Sequence, residues 1–244
     1  MKKLLIIALI VFSYGTGASA DTLTVYPSLD GVVVRNPAEE TWQALHDGAG
    51  TSAGTTDPAT YGANIRGGAT TNKYDLMTRG VFLFDTSALT ANATISAATF
   101  SLVSQLKAEE ITGQSVNMDT VTPASDSSLA ASDYNVANWG GVAQATAITI
   151  ASWVSDSSTY NDFTLNATGL SNISKTGMTR FGTRLVSDLT NTAVSGWYND
   201  NYGATVHVDF SETTGTSKDP KLVITYTITA SAPPDQSSDF IIFE

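Results

Sequence analysis

The segment KLVITYTI (221–228) sets Leu222, Ile224, Tyr226 and Ile228 at alternate positions. Successive side chains of an extended chain leave on opposite faces, so a period of two describes a strand with one face on a core. The pattern recurs along the chain. In TLTVYP (22–27), Leu23 and Val25 alternate with threonines until Pro27 ends the run. Ala98, Phe100 and Leu102 share a face in ISAATFSLV (95–103), as Val116 and Met118 do in SVNMDTV (115–121). In ATVHVDF (204–210), Val206, Val208 and Phe210 point inward, with His207 and Asp209 outward. Further strands are predicted at 31–36, 80–84, 146–154, 178–186 and the start of 163–174. Helical turns are confined to 39–46, where Trp42 and Leu45 stand three apart, to the connector 130–140, and to the stretch ending at Ile173. Roughly nine or ten strands, spaced about 10–20 residues apart with no long helix, read as an all-β, antiparallel β-sandwich of jelly-roll-like form.

Two stretches depart from simple alternation. The polar segment 47–75 is rich in Gly, Thr and Ala and reads as a long loop, of the kind that is often functional. In TRGVFLFDTSAL (78–89), Val81 and Leu83 face one way and Phe82 and Phe84 the other. Both faces of this strand are therefore expected to be covered, the outer one by 47–75. Asp85 is placed to accept the backbone N–H of Ser87 or Ala88 in an Asx turn that closes the strand. Arg79, at the strand's start, is expected to pair with a carboxylate or lie outward.

The first twenty residues differ from the rest. Lys2 and Lys3 precede the apolar run 4–12, and Ala18-Ser19-Ala20 supplies small residues for cleavage, the pattern of a secretory signal peptide. The apolar run is too short for a membrane span. A mature chain from Asp21 would hold one β-sandwich domain to about residue 230, then a flexible tail, 231–244, that leaves through Pro233-Pro234. Its localisation would be secreted or extracellular. Without Lys2 and Lys3 the 12 basic residues fall to 10 against 23 acidic ones, a net charge near −13. Nucleic acid needs a basic surface and is not an expected partner. The chain has no cysteine, which excludes thiol chemistry and zinc–thiolate sites.

RGVFLFDTSAL (79–89), ATISAATFSLV (93–103) and the closing PKLVITYT (220–227) together resemble the DNRLRE family of extracellular, carbohydrate-binding-like jelly-roll domains. The resemblance spans about 21–229, and its motifs are most specific at the FDTSAL and PKLVITY ends. It implies a non-catalytic domain: either a polysaccharide binder or a structural part of a surface protein, extracellular assembly or virion.

The residues themselves single out few sites. Trp197, Tyr198, Asn199 and Tyr202 crowd aromatic and amide groups into WYNDNY (197–202), a composition suited to saccharide contact. The alternative is a core tryptophan anchoring a loop. Trp139 and Trp153 are expected to close the ends of the sandwich. Calcium is the expected cofactor if there is one, because secreted sandwiches hold it with loop carboxylates and carbonyls. Asp188 and Asp200 are the candidate ligands. Asp119, Asp126 and Asp133, Asp156 with Asp162, and Asp209 with Glu212 form other clusters. None has the D-x-D-x-D-G spacing of an EF-hand. G-x-S-x-G and HExxH are absent, and His207 reads as a surface strand residue. No enzyme is expected. The leading expectation is a structural or adhesion-like protein with a protein partner or self-assembly, and the alternative is a carbohydrate-binding module.

Overall fold

The computed structural model describes residues 19–55, 59–194, 202–211 and 215–228. Within them the alternating segments form twelve strands: β1 (Asp21–Val25), β2 (Leu29–Arg35), β3 (Ser52–Gly54), β4 (Ala59–Gly67), β5 (Tyr74–Asp85), β6 (Ala93–Glu109), β7 (Ser115–Thr120), β8 (Ile148–Thr149), β9 (Tyr160–Thr164), β10 (Met178–Leu185), β11 (Gly203–Asp209) and β12 (Lys221–Ile228). Three short helices, α1 (Trp42–Asp47), α2 (Ala167–Ser171) and α3 (Val186–Leu189), complete the regular structure. Every strand pairing among the described residues is antiparallel, in the order β1-β12-β6-β11-β4-β5-β10-β7-β8, with β2 beside β5, β3 beside β2 and β9 beside β6.

The sheet curls into a sandwich because β6 serves two neighbours. Its residues 93–101 pair with β12, and 104–109 pair with β11. The curl brings Phe82 of β5 against Phe100 of β6 and Phe210 beyond β11, with ring centroids 5.0 and 5.5 Å apart. Phe100 also stacks on Phe163 of β9 at 6.1 Å. Aromatic contacts of this kind stabilise a core beyond their buried area.

β5 is longer than the 80–84 segment suggested, and 47–75 is not a loop. It supplies β3, β4 and the start of β5. β4 is a central strand, with Ala63 and Ile65 fully buried. Gly62 and Ala63 interrupt the hydrophobic contrast along it, so the alternation is faint in the sequence. One edge of β5 changes partner along its length: residues 74–79 pair with β4 and 80–85 with β10. Gly80 sits at the handover. A Cβ there would fall 2.4 Å from Thr183 Oγ1 and 2.8 Å from the Gly62 carbonyl oxygen. Thr183 Oγ1 donates to that carbonyl at 2.6 Å, knitting the three strands together.

Val81 and Leu83 are fully buried, as expected, but the cover differs. Their face of β5, β10 and β7 also carries Arg79, Gly182, Arg184 and Asp119, by cross-strand register. Over it lie α1, α3 and the 121–144 connector. Within the connector two 3-10 turns, Ala131–Tyr134 and Val136–Asn138, present Tyr134 and Trp139. Trp139 packs so closely on Gly182 that a Cβ there would lie 2.3 Å from the indole ring. The segment 146–154 is also shorter as a strand than expected. Only Ile148–Thr149 pairs, and a turn then buries Trp153. The Asx turn at Asp85 forms as the sequence suggested, with Ser87 N–H donating to Asp85 Oδ1 at 3.0 Å. Among the described residues no helix is long and apolar enough to cross a membrane. Of the expected signal peptide, 1–20, only residues 19 and 20 are described, and the expected flexible segment 231–244 lies outside the described residues.

Candidate functional site

The strongest concentration of ionic chemistry lies under the connector. Asp188, in α3, is 1 % exposed, and Arg79 is wholly buried. Arg79 donates from Nε to Asp188 Oδ2 at 2.9 Å and from Nη2 to Oδ1 at 2.7 Å. Arg184 repeats the fork from the other side, Nε to Oδ2 at 2.8 Å and Nη2 to Oδ1 at 3.0 Å. Two bidentate guanidinium pairs therefore saturate one carboxylate. Arg184 Nη1 also donates to Asp119 Oδ2 at 3.0 Å. Asp119 accepts the N–H groups of Gly141 and Val142 as well, at 2.9 and 3.3 Å. Two cations and two anions leave this buried cluster neutral, the condition under which charges are tolerated in a low-dielectric interior.

Aromatic rings complete the cluster. The Arg79 guanidinium carbon stands 4.1 Å from the Tyr134 ring centroid, and that of Arg184 stands 5.4 Å from the Trp139 centroid. Arg79 also donates to the carbonyls of Tyr134 and His46, and Tyr134 donates its hydroxyl proton to the Leu45 carbonyl at 2.8 Å. Burial pushes the Tyr134 hydroxyl pKa up. Burial acts to raise the Asp188 pKa too, but the Arg79 and Arg184 charges outweigh it and hold the carboxyl well below its ordinary value. Chemically the cluster is a brace. Its one-carboxylate, two-guanidinium core ties β5 and β10 to α3, while Tyr134, Trp139 and the His46 carbonyl hold the connector and α1 against it.

This corrects the expectation that Asp188 is a calcium ligand. Both its oxygens are taken by guanidinium groups, whose positive charge repels a cation. Asp200, its suggested partner, lies outside the described residues. The other acidic clusters separate as well. Asp126 pairs with Arg180 at the surface, Asp133 accepts the N–H groups of Ala124 and Ala130, and Asp156 is bonded to its own turn at Ser158 and Thr159. Among the described residues no group of three or more His, Asp or Glu side chains is arranged to hold a metal.

Trp197, Tyr198 and Asn199 also lie outside the described residues. Tyr202, the described end of that segment, is 42 % exposed, and its carbonyl accepts the Gly67 N–H at 2.8 Å. Next to it, Gly203 borders a shallow groove of about 130 Å³ on the outer face of β4, β5, β6 and β11. Tyr61, Asn64, Arg66, Leu76, Glu110 and Thr205 line the groove. Arg66 is held by Asp75 through Nε at 2.8 Å and Nη2 at 2.9 Å, and Tyr61 meets His207 edge-on with centroids 4.3 Å apart. Tyr61, Asn64 and Arg66 were hidden in the sequence because they belong to β4, inside the segment that reads as a loop. Trp42 and Trp139 turn their indole N–H groups inward, to Asn191 Oδ1 at 2.8 Å and the Asp133 carbonyl at 3.1 Å. Both act as packing residues.

No family model matches the chain, and no curated protein matches it significantly.

Proposed function

We propose that the protein is a secreted, non-catalytic β-sandwich that serves a structural or adhesion-like role at a cell surface, in an extracellular assembly or in a virion. The observation that supports this reading best is the Arg79–Asp188–Arg184–Asp119 brace. These charged side chains are sealed beneath the connector, bonded to one another and to the layers they join, which fits a structural role better than a chemical one. The signal-like leader, the acidic surface and the resemblance to extracellular jelly-roll domains point the same way. Negative-stain electron microscopy and light scattering across protein concentration test the reading. Filaments, particles or a defined oligomer support a structural role. A monomer at every concentration that also fails to coat cells or surfaces refutes it.

The groove favours a second reading, a carbohydrate-binding module. An aromatic ring beside amide, guanidinium and hydroxyl groups is the combination that receives a sugar edge. Affinity electrophoresis in gels cast with neutral and acidic polysaccharides tests it. Retardation by one polysaccharide, lost in Tyr61→Ala and Tyr202→Ala, supports binding here. No retardation by any polysaccharide removes this reading.

A further inference from the structure

Among the described residues, two buried carboxylates differ from the other buried carboxylates in lacking full hydrogen bonding. Asp209 closes β11 and is 0 % exposed, and Asp219 precedes β12 by two residues and is 5 % exposed. Asp209 Oδ1 accepts from Gln105 Nε2, but Asp209 Oδ2 and Asp219 Oδ1 are buried without a hydrogen-bond partner. Among the described residues neither carboxylate joins an ion pair. Asp188, Asp119 and Asp133, equally buried, are all saturated by guanidinium or N–H donors. A buried carboxylate with an empty oxygen is strongly disfavoured, and such groups are paired or coordinate a metal.

The topology brings the two strand ends that carry them to neighbouring positions on β6. Val208 stands opposite Ser104 of β6, and Lys221 stands opposite Ser101. The end of β11 and the start of β12 therefore converge on one short stretch of β6. The Tyr160 hydroxyl, from neighbouring β9, gathers the 217–219 backbone there by donating to the carbonyls of Ser217 and Asp219, each at 3.1 Å. The nearby cations do not neutralise the pair. Lys221 Nζ lies 3.7 Å from the Tyr160 ring centroid, engaged with its π face, and Lys218 acts on Asp209 only at a distance. Burial pushes both carboxyl pKa values up, and the Asp209 charge raises that of Asp219 further. That mutual repulsion is what a bound cation would reverse.

We propose that Asp209 and Asp219 form a calcium site that ties the end of β11 to the start of β12 against β6. Hard oxygen ligands, two carboxylates and nearby backbone carbonyls suit Ca²⁺, which accepts six to eight oxygens in irregular geometry and keeps water in the remaining positions. Glu212, paired with Asp209 in the sequence, lies outside the described residues and has no part in the proposal. The site is independent of the groove and of any role in assembly.

The test is calorimetric titration of chelator-treated protein with CaCl₂, together with thermal unfolding in EDTA and in Ca²⁺. The expected result is one binding event. Tm should rise by roughly 5–10 °C at a hundred-fold excess of Ca²⁺ over Kd. Asp209→Asn and Asp219→Asn should each weaken binding at least ten-fold and lose the Tm response. Both should unfold in EDTA at or above the wild-type temperature, because each removes a buried charge. Asp156→Asn, in an exposed turn, should keep the full response. Two results overturn the proposal: neither heat nor a Tm shift up to 10 mM Ca²⁺ with the wild-type protein, or a response preserved in both Asn variants.

Discussion

Removing the carboxylate of Asp188 is the sharpest test of the brace. In Asp188→Ala, four guanidinium hydrogen bonds of 2.7–3.0 Å lose their acceptor. Arg79 and Arg184 then remain buried with Asp119 as the one anion bonded to either, and a neutral cluster becomes cationic. Breaking a buried pair by deleting one partner costs about 3–5 kcal/mol, because the remaining charge is desolvated and uncompensated. For a domain of this size that is a fall in Tm of roughly 6–20 °C. The internal control is Asp126→Ala. It breaks the Arg180 pair, whose side chains are 36 % and 44 % exposed, and it should change stability by less than about 1 kcal/mol. Urea unfolding followed by tryptophan fluorescence measures both, since Trp139 sits beside the Arg184 guanidinium. Equal effects of the two substitutions, or a loss below about 1 kcal/mol for Asp188→Ala, would refute the reasoning. The pH dependence follows the same logic. The Asp188 pKa is lowered by folding from an ordinary 3.8, so its contribution is complete above that value. It is lost as pH falls below about 3.8 toward the lower folded-state pKa. Through Asp188's own titration, the stability difference between wild type and Asp188→Ala should therefore be complete above its ordinary 3.8 and shrink as the pH falls below it.

Two further substitutions probe the cover over β5 and β10. Gly182→Ala would place a Cβ 2.3 Å from the Trp139 ring and 2.6 Å from the Gly80 carbonyl oxygen. It should destabilise by about 1–3 kcal/mol and alter the near-ultraviolet circular dichroism of Trp139; an unchanged urea midpoint would count against that packing. Tyr134→Phe removes one buried hydroxyl and leaves the Leu45 carbonyl without its donor, with an expected loss of about 1 kcal/mol in the same urea experiment.

Much of the architecture was legible because the side-chain period of a strand is a local property. The strands 22–27, 95–103, 115–121, 204–210 and 221–228 appear where the alternation placed them, and Leu222, Ile224, Val206 and Val208 face the core. The Asp85 turn was legible too, since an Asx turn needs only the next two residues. β4 was not, because Gly62 and Ala63 give almost no hydrophobic contrast. The sequence also placed Asp209 outward beside His207. In the structure it is buried, with Oδ1 accepting from Gln105 Nε2 of β6, where the end of β11 and the start of β12 converge on that strand.

The amino-acid order by itself determined the all-β class, the inward face of most strands, the net negative charge and the doubly apolar strand at 80–84. Tertiary structure alone decided what covers that strand and which charges meet. Arg79, Asp119, Arg184 and Asp188 come from four separate elements, and Asp209 and Asp219 from two strand ends. Each pairing exists only once the curled sheet closes. The physical reason is range: alternation and turn chemistry act over a few residues, whereas a carboxylate's environment is set by whichever distant segments fold against it.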